Sequence, residues 1–311
     1  MRVLVLGAGA TGAYFGARLI QAGHEVSFLV RPARAELLRR DGLRIRSAQG
    51  DFAAPVPLLT SVPANAAFDL VLLSCKAYDL DTALAAIAPA VGATTRVLPL
   101  LNGLRHLEVL DLAFGAARVL GGLCHISVTL QPDGSVLHLG NLHRLTFGAR
   151  GADARLDELA PQLLAAPAEI RHSERIIDAM WEKFAFLSTL AGMTCLLRGS
   201  IGEIVATPDG AGLLRRCYAE ACEVARRAGH AVGEEARAEA DTILTTPGSP
   251  LKASMLRDLQ RGAVTECEHI VGDLIARGAA LEVDMPLLRA AAAHLRVYEL
   301  ARRMPDGTPA R

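Results

Sequence analysis

Lysine is almost missing from this chain. Lys76, Lys183 and Lys252 are the only ones, and arginine supplies every other basic side chain. Arginine stays protonated under protein conditions whereas lysine can give up its proton, so a position that needs a titratable ammonium has only these three to draw on. Asparagine is equally scarce, at Asn65, Asn102 and Asn141. Net charge is absent, with 33 basic and 33 acidic residues. No basic block is present to track a phosphate backbone, which argues against nucleic acid as a partner. No apolar run reaches the roughly 18 residues that a bilayer span requires, and the first apolar segment is too short and glycine-rich for a signal peptide. The six cysteines (Cys75, Cys124, Cys195, Cys217, Cys222, Cys267) contain no CxxC pair. They read as free thiols in a reducing cytoplasm. No HExxH motif and no Cys/His cluster points to a metal.

What is present begins at residues 3–12, VLVLGAGATG. A short apolar run ends in Gly7-Ala8-Gly9-Ala10-Thr11-Gly12, and an amphipathic run follows over 14–22, which is strand, glycine turn, helix. In such a turn Gly7 permits the tight bend, Gly9 lets a pyrophosphate approach the backbone, and Gly12 lets the helix pack on the strand with its amides facing the phosphates. The second apolar run, 25–30, ends in Arg31-Pro32-Ala33-Arg34 where an NAD site usually carries an acid. A guanidinium binds a 2′-phosphate bidentately, so NADP(H) is the expected cofactor, with Arg31 as the main contact and Arg34 as a second.

With 311 residues, 51% of them hydrophobic, the chain has room for two domains and a sizeable core. The first half alternates apolar runs and helical patterns, as βαβ units do. Strands are expected at 68–74 and 96–101, a helix at 78–90, and short edge strands over 44–59. A hairpin is expected at 119–130 and 135–139 around Gln131-Pro132-Asp133-Gly134, and 142–148 reads as a last strand. From Ser173, a candidate helix N-cap, no strand pattern remains. Helices are expected over 174–198, 213–228, 266–277 and 286–302, a loop over 245–254, and fraying at 304–311. The fold class is therefore α/β: an N-terminal Rossmann-type dinucleotide-binding domain (1–172) followed by an all-helical C-terminal domain (173–311). The apolar late helix over 287–300 leaves both core packing and a homodimer interface open.

Ser74-Cys75-Lys76 and Leu101-Asn102-Gly103 each follow an apolar strand and would project beyond its carboxyl end, where ligands of such folds sit. In the second half, Trp181-Glu182-Lys183-Phe184 lies in a helix too apolar to be solvated. Burial lowers a lysine pKa and suits it to proton transfer. Glu266, opening a late helix, is a candidate partner; a structural Lys–Glu pair is the plainer alternative.

These pieces together resemble the ketopantoate reductase (2-dehydropantoate 2-reductase) family. The matching segments are GAGATG, Arg31, SCKAYD, LLNGL, His125 in LCHIS, WEKF, GEI at 202–204 and SMLRDLQRGAVTECEHI. The resemblance implies reduction of ketopantoate to pantoate, with hydride from NADPH and a proton from Lys183. It implies that Glu266 lies near cofactor and lysine, and that Asn102 contacts both cofactor and substrate. Ser254 would bind substrate, and Lys76, Arg31 and Ser127 would lie at the cofactor. An ammonium aimed at the carbonyl oxygen would stabilise the oxyanion that hydride addition creates.

The chain departs from the family pattern beside the lysine. The family carries asparagines one and two helical turns after it, where this chain has Leu187 and Ala191, and a further one aligns with Ile201. Spacing of four puts Lys183, Leu187 and Ala191 on one helix face. Each substrate group left unpaired costs about 1–3 kcal/mol, so a more apolar 2-keto acid or ketone is an alternative substrate. An opine- or 3-hydroxyacid-type dehydrogenase would be expected to use a catalytic histidine, or NAD with an acid ending the second strand. A non-catalytic NADP(H) sensor would have no need of a proton donor.

Overall fold

The computed structural model describes residues 1–64 and 66–303, so Asn65 and the expected fraying at 304–311 lie outside the described residues. The chain divides into two compact units, Met1–Leu101 with His106–Ile176, and Asn102–Arg105 with the chain from Ile177 onward.

The first unit is built on a parallel sheet of β1 (Arg2–Leu6), β2 (Glu25–Leu29), β5 (Leu58–Leu59), β6 (Leu70–Leu73) and β7 (Arg96–Pro99), in the order β5-β2-β1-β6-β7. Val3, Leu4 and Val5 of β1 and Leu70–Leu73 of β6 are buried on both faces, as parallel strands covered by helices are. Fully burying each such side chain contributes about 1.5–3 kcal/mol. Helix α1 (Ala10–Gln21) follows β1, α2 (Pro32–Asp41) follows β2, and α3 (Leu80–Ile87) follows β6 through a 3₁₀ turn at Ala77–Asp79. Successive strands are added outward in opposite directions on the two sides of β1, which makes its end the switch point at which such sheets hold ligands. Leu6 is level with both Leu29 and Leu73 in the strand register. The segments leaving β1, β2 and β6 therefore emerge side by side.

A second sheet of the same unit pairs β3 (Leu43–Arg46), β4 (Phe52–Ala54), β8 (Gly121–Leu130), β9 (Val136–Gly148) and β10 (Glu169–His172). The expected separate strands 135–139 and 142–148 are one, because β9 runs through Gly140 at φ +82° rather than turning there. Nor is it the last strand. The short polar β10 lies parallel to it and has no apolar alternation for a sequence reading to catch. Helices α4 (Arg105–Phe114) and α5 (Ala154–Leu164) complete the connections. Arg96 of β7 donates two hydrogen bonds, of 2.7 and 2.6 Å, to Asp153. The Asp153 carboxylate also accepts from the backbone amides of Arg155 and Leu156 at the start of α5.

The described part of the second unit is helical. It comprises α6 (Ile176–Leu197), α7 (Ile201–Val205), α8 (Gly210–Arg227), α9 (Glu234–Thr245), α10 (Ser254–Gln260), α11 (Asp273–Ala280) and α12 (Pro286–Arg303). Ser173 does not cap α6. Its backbone amide donates to Phe147 of β9 and its hydroxyl accepts from the amide of Arg175, which closes a turn ahead of the helix. The helix expected from Glu266 is interrupted by a π turn at Glu268–Gly272 before α11. Alpha-12 buries Leu288, Ala291, Ala292 and Leu295, while Val297 and Leu300 on the same helix are exposed. A Cβ on Gly192 of α6 would stand 3.3 Å from that of Ala291, so small residues let these two helices approach closely.

Candidate functional site

The glycine turn after β1 is shaped as its sequence requires. Gly7 has φ +88°, a left-handed conformation open to glycine at little cost. A side chain on Gly12 would collide with the Gly7 carbonyl and with Ser74 Oγ, which itself donates to the carbonyl of Leu6 at 2.9 Å. Helix and strands are thereby locked together. Gly9 precedes the first residue of α1, and a Cβ there would meet nothing within 4 Å. The protein itself does not fill the space above it, and the open amides of the first helical turn carry the positive end of the helix dipole.

Beside this turn is a cavity of about 520 Å³. Of the sequence-derived candidates, Gly7, Ala8, Gly9, Arg31, Arg34 and Lys76 line it, together with Cys75 and Asp79. Ala10, Thr11 and Gly12 form the first turn of α1 just behind it. Ser127 is half-buried where the pairing of β8 with β9 shifts register between Ile126 and Val128, a bulge that re-aims a side chain. Arg34 is anchored by donating from Nε to Ala8 O at 3.1 Å and from Nη1 to Gly134 O at 3.0 Å. Its Nη2 is buried with no hydrogen-bond partner, and burial lowers its pKa. Arg31 is exposed and donates to Asp79 Oδ1 at 2.9 Å. A glycine cradle, a helix N-terminus and an orphaned buried guanidinium nitrogen fit a pyrophosphate and a second anionic group. Asp79 was not among the expected site residues. The signal was its place three residues after Lys76, on the same 3₁₀ turn.

In the second unit, Lys183 Nζ donates to Asn102 Oδ1 at 3.1 Å. Asn102 had been expected with the first domain, yet Asn102–Arg105 packs with the helices. Gly103 explains this. Its φ is +83°, and a Cβ there would stand 2.8 Å from the carbonyl of His269 and 3.7 Å from the Phe184 ring. The Asn102–Gly103 turn thus lies against the π segment and against the residue after Lys183. The WEKF motif divides its labour. Trp181 and Phe184 are core residues, with Trp181 stacked on His230. Glu182 accepts from the amide of Gly233, and Lys183 is left half-buried toward Asn102.

Glu266 is 6% exposed and opens the turn that leads into the π segment, a helix irregularity found often at functional sites. Leu187 is half-buried and Ala191 is buried. The hydroxyls of Thr189 and Thr194 donate back to the carbonyls of Ala185 and Leu190. Ser188 Oγ is buried without a partner. Ile201 is fully buried at the start of α7, and Ser254 is an exposed first residue of α10. Lys252 has a structural place 3.8 Å from Glu203, the residue that closes a capping box with Ser200. Among the described residues no cluster of metal-ligating side chains is present, and no helix is long and apolar enough to cross a membrane. All six cysteines are free, and burial pushes the Cys195 and Cys267 thiols up to about 12.

Comparison with known proteins gives matches along nearly the whole chain. The family model for "Ketopantoate reductase PanE/ApbA" matches residues 3–151, and that for its C-terminal domain matches 175–299. An uncharacterized oxidoreductase, YkpB, of Bacillus subtilis (strain 168) is 35% identical over 96% of this chain and 99% of its own length. A 2-dehydropantoate 2-reductase of Halobacterium salinarum is 30% identical over 96% and 99%. The crystal structure of 2-dehydropantoate 2-reductase from Geobacter metallireducens GS-15 superposes with a TM-score of 0.87 at 29% identity, covering 96% of this chain and 99% of that one.

Proposed function

The chain belongs to the ketopantoate reductase family of oxidoreductases, and on that premise we propose that it is an NADPH-dependent reductase that converts the C2 carbonyl of a 2-keto acid to a hydroxyl, with ketopantoate the substrate to test first. The observation that carries this reading is the hydrogen bond from Lys183 to Asn102. It joins one of only three lysines to one of only three asparagines, from motifs 81 residues apart.

Gly7, Ala8, Gly9 and the first turn of α1, with Ala10, Thr11 and Gly12, would hold the pyrophosphate of the dinucleotide. Arg31, Arg34 and Lys76 would hold its remaining anionic groups, and Ser127 is a further contact suggested by the family. When bound, the reduced nicotinamide supplies the hydride that adds to the carbonyl carbon. Lys183 supplies the proton that the carbonyl oxygen takes up, so the product leaves as a neutral alcohol group rather than an alkoxide. Before transfer, the ammonium lowers the barrier by facing the developing oxyanion. Asn102 helps to orient the lysine by accepting from one of its three donors. Glu266 is assigned to balancing charge near the lysine, and Ser254 to substrate binding.

A second substrate reading is favoured by α6. Leu187 and Ala191 follow Lys183 at one and two turns, and the neighbouring threonine hydroxyls are spent on their own helix. An apolar wall there would suit a 2-keto acid with an apolar side chain. The test is NADPH oxidation by the purified protein with ketopantoate beside a series of apolar 2-keto acids. Turnover of ketopantoate at a rate typical of enzymes supports the first reading. Faster reduction of an apolar keto acid keeps the chemistry and reassigns the substrate. Dinucleotide binding with no turnover of any of them would overturn catalysis and leave an NADP(H)-binding sensor.

A further inference from the structure

Among the charged residues that line the cavity beside the glycine turn, Arg31, Arg34 and Lys76 are cationic and Asp79 is the one carboxylate. The two arginines are held in different ways. Arg34 is fixed to two backbone carbonyls and keeps one buried nitrogen without a partner. Arg31 has a side chain 78% exposed and is anchored by the 2.9 Å bond to Asp79, whose side chain is 35% exposed. Asp79 is the rigid member of that pair. Its amide donates to Lys76 O at 2.9 Å, its carbonyl accepts from Thr82 Oγ1 at 3.0 Å, and it ends the 3₁₀ turn that leads into α3.

Arg31 leaves β2 at the position where such folds read the ribose 2′ substituent. A 2′-phosphate that recruits Arg31 must either draw it off Asp79 or accept a carboxylate next to its own charge, and like charges so placed select against a ligand. A 2′-hydroxyl meets no such opposition and can donate to the carboxylate. We propose that Asp79 is the specificity-determining residue of this pocket: by holding Arg31 it reduces the preference for 2′-phosphorylated dinucleotides, so that the site accepts both 2′-phosphorylated and 2′-hydroxyl forms. This rests on the dinucleotide reading given above.

The experiment is calorimetric binding, without substrate, of NADPH and NADH and of the fragments adenosine 2′,5′-bisphosphate and 5′-AMP. The proteins are wild type, Asp79→Asn, Asp79→Ser and Asp79→Asn/Arg31→Ala. The quantity read is the ratio of the two affinities within each protein, which a general loss of stability does not move. Removing the carboxylate charge should raise the ratio in favour of the 2′-phosphorylated ligand by about tenfold in both single variants. Most of that gain should vanish when Arg31 is also removed. Binding of both ligands with the ratio unchanged within about twofold in both single variants would overturn the proposal. A gain that persists in full without Arg31 would overturn it as well, since Asp79 would then not act by holding that arginine. Binding of neither ligand to the wild-type protein would instead bring down the dinucleotide reading, and this inference with it.

Discussion

The two units build their candidate sites from different materials. In the first, the site is mostly backbone: a left-handed glycine, the amides opening α1, and the carbonyls of Ala8 and Gly134 that hold Arg34. In the second it is side chain: an ammonium on α6, a carboxamide from the Asn102–Gly103 turn, and the apolar Leu187 and Ala191. A backbone site demands glycine at fixed spacings and is hard to vary. A side-chain site can keep its reacting group while its wall is exchanged, which is how the lysine and the asparagine can stand here beside leucine and alanine. The first unit is expected to fix the cofactor class and the second the substrate.

The sharpest way to break that comparison is Gly12→Val. The added side chain must displace the Gly7 carbonyl or Ser74, so dinucleotide affinity should fall by more than about 100-fold, as calorimetry would register. The Lys183–Asn102 pair lies in the other unit and should survive, with an unchanged environment for Lys183 in an NMR spectrum of the amines. The framework beneath the first site is tested next. Arg96 and Asp153 have side chains 12% and 8% exposed, and Arg96→Ala leaves a buried carboxylate without its main partner. The cost should be about 3 kcal/mol in chemical denaturation. The Arg96 hydrogen bond holds the Asp153 carboxyl below its ordinary value. Its contribution is therefore present above the usual carboxylate pKa and is lost as pH falls through the lowered one.

A smaller effect sharpens the comparison from the second unit. Leu187→Asn with Ala191→Asn should raise kcat/KM for ketopantoate by at least about tenfold, one hydrogen bond of about 1.4 kcal/mol, and leave dinucleotide affinity alone. No rise would remove the claim that α6 sets the substrate. The least effect is expected at His143, whose pKa is lowered by burial and then by the nearby Arg18 and His138, against an opposing pull from Glu169. Tyr14 OH bonds its Nδ1 at 2.8 Å. A depressed imidazole pKa favours the neutral ring in the fold, so stability is full above the usual value of about 6.5 and declines as pH falls below it. His143→Gln should flatten that part of the melting-temperature profile.

The sequence was legible in proportion to how much a feature depends on backbone. The glycine turn, the strands flanking it and the parallel sheet could be read because φ +88° at Gly7 and close packing at Gly12 leave little choice of residue. The second sheet was harder. Gly140-Asn141 has turn composition, yet β9 continues through it because β8 pairs with it on both sides of a register shift. At the candidate site the lysine stood out through its rarity. The transfer of Asn102 to the helical unit did not, since it follows from Gly103 meeting His269 O, a contact between residues 166 positions apart in sequence numbering that no local pattern encodes. Asp79 is illegible for a similar reason, because an acid just ahead of a helix is ordinary and only the fold sets Arg31 against it.

The most direct test of the account is to measure, in Lys183→Ala, both NADPH affinity and the single-turnover rate of NADPH oxidation with the best keto acid substrate. The account predicts affinity within about twofold of wild type, with a rate lower by about 100- to 10,000-fold, the loss typical for removal of a general acid. A rate close to wild type would contradict it, because the proton would then come from elsewhere and the pairing of Lys183 with Asn102 would be structural.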